Sequence, residues 1–365
     1  MSPIKYLKNF NVLSMFNSKR TRDIFQVNPT LLPIREEAGE RQIHIFDYTP
    51  EQLEEKTLHN ISECFPLRDN GHISWINIGG IRKADVEAVC NHFGIHNLIL
   101  EDIMSLDQRP KMDELEPILF CLLNMLYFNN QTGAVETEQI SIVLGKDFVI
   151  SFQEDCERDV FNSLRDKIRI VNSKLRQSGA DYLCYALLDI IVDHYYLVME
   201  KLSGHIELLE EKIIRSSNTR ALIEINNLRK ELIVLKRNVS PVRDLIIGFI
   251  RSESDLLEEK TTKYFKDIYD HILQANELVE SYRDMMMSLQ DLYLSNVNLR
   301  MNEVMKVMAV VTCLMAPAMV IGGIFGMNFD RLPYIHNPYG FFIAVGLMLI
   351  FPVWMVIVFR KRGWF

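Results

Sequence analysis

VMAVVTCLMAPAMVIGGIF, the stretch from Val307 to Phe325, contains 19 residues without a charge and runs directly into Gly326-Met327-Asn328. A short polar loop follows, and then 21 more uncharged residues, YGFFIAVGLMLIFPVWMVIVF, from Tyr339 to Phe359. Each run is long enough to cross a hydrocarbon core about 30 Å thick as a helix. Arg360-Lys361-Arg362 come next, and the positive-inside rule places that end of the chain in the cytoplasm. The pattern predicts a large body joined to a single membrane hairpin, with Gly326-Met327-Asn328 at the outer tip.

The rest of the composition agrees with a cytoplasmic body. The 365 residues carry a net charge of −8, which argues against a nucleic-acid-binding surface. The first twenty residues are basic but have no continuous apolar core or cleavage site, so no signal peptide is read there. Both termini are therefore expected inside, with the hairpin in the cell inner membrane and in contact with membrane lipids. Cys64, Cys90, Cys121, Cys156, Cys184 and Cys313 form no C-x-x-C pair and read as reduced packing residues.

Along the chain, residues 1–40 read as irregular and 41–155 as an α/β domain. Short β-rich runs stand at Gln42–Tyr48, His72–Ile78, Ile118–Phe128, Gln139–Leu144 and Phe148–Phe152. Helical patterns stand near Pro50–Glu63, Lys83–Phe93 and Asn97–Met104. Turn signals occur at Asn129–Gly133 and Gly145–Asp147. The region 156–255 reads as a helical hairpin. Its outgoing helix, Asp181 to about Arg215, carries Leu202, Ile206, Leu209 and Ile213; its return helix carries Leu222, Ile225, Leu228, Leu232, Leu235 and Val239.

A third helix begins near Tyr264, within a stalk assigned to 256–306. Ile268, Ile272, Ala275, Val279, Tyr282, Met286, Leu289 and Tyr293 alternate steps of four and three, a stripe that needs partner helices. No Pro interrupts it before Pro317. If it continues to Phe325, a rod of that length extends about 93 Å at 1.5 Å per residue. Such a rod predicts an oligomer with the helices around an axis. The remaining divisions are a first span at 307–325, an outer loop at 326–338, a second span at 339–359 and a basic tail at 360–365.

Two series at intervals of seven continue into the first span: Asn302, Ala309, Ala316, Gly323, and Met305, Thr312, Met319, Gly326. All are small, flexible or neutral-polar. Close helix packing explains them, since Gly322-x-x-x-Gly326 is a packing spacing; so does a narrow pore, and the two are compatible. Carriers and pumps usually place Asp, Glu or His within the bilayer, and neither span has one. The chain has no phosphate-binding G-x-x-x-x-G-K-[ST] loop and no nucleophile–base set, so neither an enzyme nor an organic cofactor is expected. Passive flow down the membrane potential remains. The Asn328 amide offers a neutral oxygen to the water shell of Mg²⁺, an ion that dehydrates reluctantly; a carboxylate there would bind tightly enough to slow exit.

Asn302-Glu303-Val304-Met305-Lys306-Val307, then Pro317, then Gly323-Ile324-Phe325-Gly326-Met327-Asn328-Phe329 resemble the CorA family of divalent-cation channels. The resemblance extends over most of the chain. It implies a cytoplasmic α/β domain, a long stalk helix continuing into the first of two transmembrane helices, a funnel-shaped homopentamer, and Mg²⁺ uptake with Co²⁺ or Ni²⁺ also carried. It assigns selectivity to Gly326, Met327 and Asn328, with Asn328 as the outer ring. It assigns the pore lining to Asn302, Met305, Met308, Thr312, Ala316 and Met319. Phe325, Ala316 and Met319 depart from residues common in the family, which bears on the mid-pore constriction.

Glu101 and Asp102 in LILEDIMSLDQRPK, Asp189 in LLDIIVDHYY and Asp267 in YFKDIYDHI match family segments as well. The resemblance implies that these carboxylates hold Mg²⁺ between subunits as an intracellular sensor that closes the pore, with Asp102 and Asp267 ahead of Glu101 and Asp189. As residues alone, each reads first as part of a solvated helix face or as a salt-bridge partner. Asp113, Glu114 and Glu116 read as solvated surface. The nine histidines show no metal-ligand spacing within one helix. Two other functions are open to this pattern: a Zn²⁺ transporter of the same family, and a membrane-anchored ligand sensor without transport.

Overall fold

A computed structural model describes residues 37–106, 108–156, 158–215, 219–327 and 338–363. The chain divides into two compact units, the first comprising Met1–Lys212 with Thr219–Leu289, the second Ile213–Asn218 with Gln290–Phe365.

The first unit is built on a seven-stranded sheet: β1 (Gln42–Tyr48), β2 (Leu53–Leu58), β3 (Ile73–Gly79), β4 (Lys111–Leu115), β5 (Ile118–Asn129), β6 (Ala134–Leu144) and β7 (Phe148–Gln153). Their order is β2-β1-β3-β7-β6-β5-β4, and only the β3–β7 pair is parallel. The first nine residues of β5 are buried, as expected for an apolar run covered on both faces. Asn129 and Ala134 close the β5–β6 hairpin, and Gly133 supplies the left-handed turn residue at φ +68°. Helices α1 (Lys83–Phe93) and α2 (Asn97–Met104) pack on the sheet through Val86, Val89, Phe93, Ile99 and Ile103, all buried.

The expected helix over Pro50–Glu63 is not formed. That stretch holds β2 and the start of a 3₁₀ turn, Ile61–Leu67, capped reciprocally by Asn60 and Glu63. Glu54, Glu55 and Lys56 gave it a helical look, but they are the exposed charges of an edge strand, where they discourage further pairing. Backbone pairing with β1, in register from Ile43↔Leu58 to Tyr48↔Leu53, overrides the weak local propensity. The acidic run at Asp113–Glu116 is likewise part of an edge, since β4 pairs with β5. Only part of it is plain surface: Asp113 pairs with Lys111 and Glu114 accepts a hydrogen bond from Ser252 Oγ.

After the short helix α3 (Asn162–Arg169) come α4 (Ala180–Arg215), α5 (Thr219–Arg251) and α6 (Glu259–Phe325). The expected turn between α4 and α5 falls mostly on 216–218, outside the described residues. Within the first unit the stripes read from sequence face inward: Leu202, Ile206 and Leu209 of α4, Ile225 to Val239 of α5, and Ile268 to Leu289 of α6 are buried. Polar groups fix these helices to the sheet. Tyr195 donates its hydroxyl proton to Asn124 O at 2.8 Å, Asn124 Nδ2 donates to Asn238 Oδ1 at 2.7 Å, and Val135 N–H donates to the Glu231 carboxylate at 2.7 Å.

The second unit holds the C-terminal part of α6 and α7 (Gly340–Lys361). Helix α6 begins at Glu259, five residues earlier than its apolar stripe indicates, and passes through Pro317 without ending. Among the described residues, three helices are long and apolar enough to cross a membrane: α4, α6 and α7. The apolar window of α4 is 56% buried inside the protein, whereas those of α6 and α7 are 6% buried.

Candidate ion pathway and cation sites

The end of α6 is closed by its own backbone. Gly326 N–H donates to Gly322 O at 2.9 Å and Met327 N–H to Ile324 O at 3.3 Å. A Cβ added at Gly326 would stand 3.0 Å from Gly322 O, so a glycine fits this tight exit where a larger residue would press on the preceding turn. Asn328, with the loop through 337, lies outside the described residues.

Below the tip, Asn302, Met305, Met308, Thr312, Ala316 and Met319 are all exposed in the single chain. At about 100° per residue these positions fall within an arc of about 120° on the helix. Val310, Leu314, Pro317 and Ile321 are buried or half-buried and cluster on the far side of the same helix. Met348 of α7 lies 3.6 Å from where a Gly322 Cβ would be, so the small residue lets the two helices approach. The Thr312 hydroxyl donates to Met308 O at 2.9 Å, which leaves its oxygen lone pairs directed outward. The exposed arc is thus apolar to weakly polar, carries no charge, and offers oxygens only at Asn302 and Thr312.

The four acidic positions have different surroundings. Asp102, at the end of α2, is 16% exposed and accepts a 2.6 Å hydrogen bond from Lys111 Nζ, which also pairs with Asp113 at 2.9 Å. Burial pulls the Lys111 ammonium down, but the bonds to Asp102 and Asp113 outweigh it and hold its pKa above the ordinary value. Glu101 and Asp267 are exposed. Among the described residues no hydrogen bond or ion pair joins Asp102 to Asp267 within one chain.

Asp189 is different. It lies half-buried on α4, one turn before Asp193, and the two carboxylates meet His271 of α6, with ligand atoms of all three within 4.8 Å of one another. Burial raises the Asp189 pKa, the negative charges of Asp193 and Asp267 add to the rise, and His271 and Lys167 oppose it. Asp193 and His271 were missed in the sequence because a same-helix histidine spacing cannot show a site shared by two helices. The D-x-x-x-D step in LLDIIVDHYY, and a histidine one turn after Asp267, were the available signals.

The family model for CorA-like Mg²⁺ transporter proteins matches residues 70–361 of this chain. The chain belongs to the CorA family. The cobalt/magnesium transport protein CorA of Thermotoga maritima is 36% identical over 88% of this chain and 92% of its own length. The complete structure of the CorA magnesium transporter from Methanocaldococcus jannaschii superimposes with a TM-score of 0.72 at 24% identity, covering 88% of this chain and 98% of that one. The ZntB cytoplasmic domain from Vibrio parahaemolyticus shares the fold over 70% of this chain and 98% of its own, with a TM-score of 0.56 and 15% identity. As in the CorA fold, an N-terminal α/β sheet unit precedes long helices and apolar C-terminal helices.

Proposed function

We propose that this CorA-family protein is a channel for Mg²⁺ uptake driven by the membrane potential, able to pass Co²⁺ and Ni²⁺ as well. The observation that carries the reading is the uncharged, exposed arc of α6 from Asn302 to Met319, leading to Gly326-Met327-Asn328. Helices α6 and α7 are the membrane spans in this reading, with both termini in the cytoplasm and the hairpin in the inner membrane. Their open apolar surfaces support that, and α4 is excluded by its burial. Five copies place the arcs around one axis, and Asn328 amides form a ring at the outer mouth. A divalent ion entering a negative interior gains about 4.6 kcal/mol per 100 mV, at about 2.3 per charge, so no other energy source is needed.

Regulation is assigned to cytoplasmic divalent cations held between subunits, mainly by Asp102 of one and Asp267 of the next, with Glu101 and Asp189 flanking. Support comes from the surroundings of the two carboxylates: Asp102 is held by Lys111 at the end of α2, and Asp267 is exposed on α6. Lys111 occupies Asp102 in the single chain, so an arriving divalent ion must displace an ammonium.

The test is ion flux into liposomes containing the purified protein under a set potential. Wild type is expected to take up Mg²⁺, and Asn328→Ala to lose most of that uptake. Uptake that persists unchanged in Asn328→Ala defeats the selectivity assignment. Undiminished inhibition by internal Mg²⁺ in Asp102→Ala plus Asp267→Ala defeats the sensor assignment.

A further inference from the structure

We propose that Met305 and Met308 of a single chain, with Met301 one turn before them, form a binding site for a soft monovalent cation of the Cu⁺ or Ag⁺ class. This goes beyond the uptake reading, since the ion differs in charge and chemistry and the site requires neither Asn328 nor a second subunit.

The observation is where the sulfurs stand. The stretch from Met301 to Met319 contains five methionines, Met301, Met305, Met308, Met315 and Met319, separated by steps of four, three, seven and four. At about 100° per residue all five share a strip of α6 about 80° wide. All five are exposed, Met305 by 62% and Met308 by 64%. The other large apolar residues of the stretch, Val304, Val307, Val310, Val311 and Leu314, fall on other parts of the circumference. A surface that needs only to be apolar has no reason to sort thioethers from branched side chains. The packing stripe earlier in the same helix shows the contrast: of its eight positions from Ile268 to Tyr293, only Met286 is a methionine.

The spacing suits one ion between two sulfurs. Met305 and Met308 are separated by about 4.5 Å along the helix axis. Two sulfurs on opposite sides of an ion, with bonds of about 2.3 Å, stand about 4.6 Å apart. Residues at this interval have Cβ atoms about 5–6 Å apart, and the three rotatable bonds of each methionine bring both thioethers to a common point without moving the backbone. Met301, about 6 Å before Met305 along the axis, supplies a third sulfur on the same strip. The charged neighbours Arg300, Glu303 and Lys306 all lie about 100° or more from the centre of the strip. No charged residue therefore shares it, either to repel a cation or to offer it a hard oxygen.

The ligand type selects the metal. Mg²⁺ requires oxygen ligands and holds its water shell, whereas uncharged, polarisable thioethers suit soft ions such as Cu⁺. The same helix thus offers two chemistries: oxygens at Asn302 and Thr312, and sulfurs on the adjoining strip. Apolar packing against lipid or another helix is the competing account. It predicts that leucine, close to methionine in volume and equally apolar, serves as well at these positions. A metal site predicts that it does not.

The experiment is a titration of the full-length purified protein with Ag⁺, which needs no reductant, in chloride-free buffer with a large excess of Mg²⁺. Retained silver is measured by equilibrium dialysis and its ligand shell by X-ray absorption. The background carries Cys156→Ser and Cys313→Ala, because these two cysteines are the ones not buried and a thiol would compete for silver. This protein is expected to retain Ag⁺ in a sulfur shell, and Met305→Leu plus Met308→Leu to weaken the tightest binding by about tenfold or more. Met315→Leu plus Met319→Leu should leave that binding within about twofold, as the control for general loss of methionine. Undiminished affinity in Met305→Leu plus Met308→Leu overturns the proposal, as does a silver shell without sulfur, failure to retain silver, or loss of the tightest binding in Met315→Leu plus Met319→Leu. Flux is not read in this experiment, so its failure would leave the uptake reading standing.

Discussion

Helices α4 and α6 each meet the length and apolarity needed to cross a bilayer, yet their surroundings are opposite. Over half of the α4 window is buried among other parts of the protein, and 6% of the α6 window is. In α4 the apolar residues are interrupted by groups with fixed partners, such as Tyr195 bonded to Asn124 O. In the terminal part of α6 no charged residue interrupts Val307–Phe325. Hydropathy alone does not separate a core helix from a span. The polar residues within it do, because each must have a protein partner or a water-filled path.

Removing bulk from the two helices should expose that difference most clearly. Leu187→Ala in α4 deletes a fully buried side chain and is expected to cost about 2–5 kcal/mol in chemical denaturation of the purified protein. Met308→Ala in the exposed part of α6 should change that stability by about 0.5 kcal/mol or less. Equal costs would break the comparison. A smaller effect follows from the polar link between helix and sheet: Asn238→Ala leaves buried Asn124 Nδ2 without its acceptor and should cost about 1–3 kcal/mol by the same measurement.

Regulation gives a third prediction, smaller in free energy. If Lys111 competes with a divalent ion for Asp102, Lys111→Met should lower the internal Mg²⁺ needed for half-inhibition by about threefold to tenfold, discounted for the partial exposure of the pair. An unchanged or higher inhibitory concentration would remove Lys111 from the gate.

The smallest effect is a pH dependence of the first unit. Burial raises the pKa of Glu138; Asp155 N–H and the Tyr127 hydroxyl oppose the rise, and Glu154 and Asp155 add to it. A carboxyl whose pKa is higher folded than unfolded binds more protons in the folded state. Its contribution therefore diminishes as pH rises from the ordinary glutamate value of 4.5 through the raised one. Glu138→Gln should flatten the stability profile in that window; a profile identical to wild type would contradict the assignment.

Much of this fold was legible in the sequence because long apolar periodicities report packing directly. The β5 run, the α4 and α5 stripes, and the steps of four and three in α6 appear as buried faces. Strands β2 and β4 were not legible as strands, because edge strands carry the charges of a solvated helix and are held by pairing partners distant in sequence. The six positions from Asn302 to Met319 fall on one exposed arc because a single helix carries them all, and their proposed pore-lining role came from the family resemblance. The Asp189–Asp193–His271 cluster was not legible, because no local spacing records that α4 and α6 bring two aspartates to one histidine.

The central claim is that the exposed arc of α6 carries the ions, and Thr312→Lys tests it most directly. Thr312 is within the arc, and a fixed ammonium there would repel a passing divalent cation. In liposomes under a set potential, a Thr312→Lys protein that assembles as wild type does should show almost no Mg²⁺ uptake. Mg²⁺ uptake at the wild-type rate would place the ion path elsewhere and contradict the account.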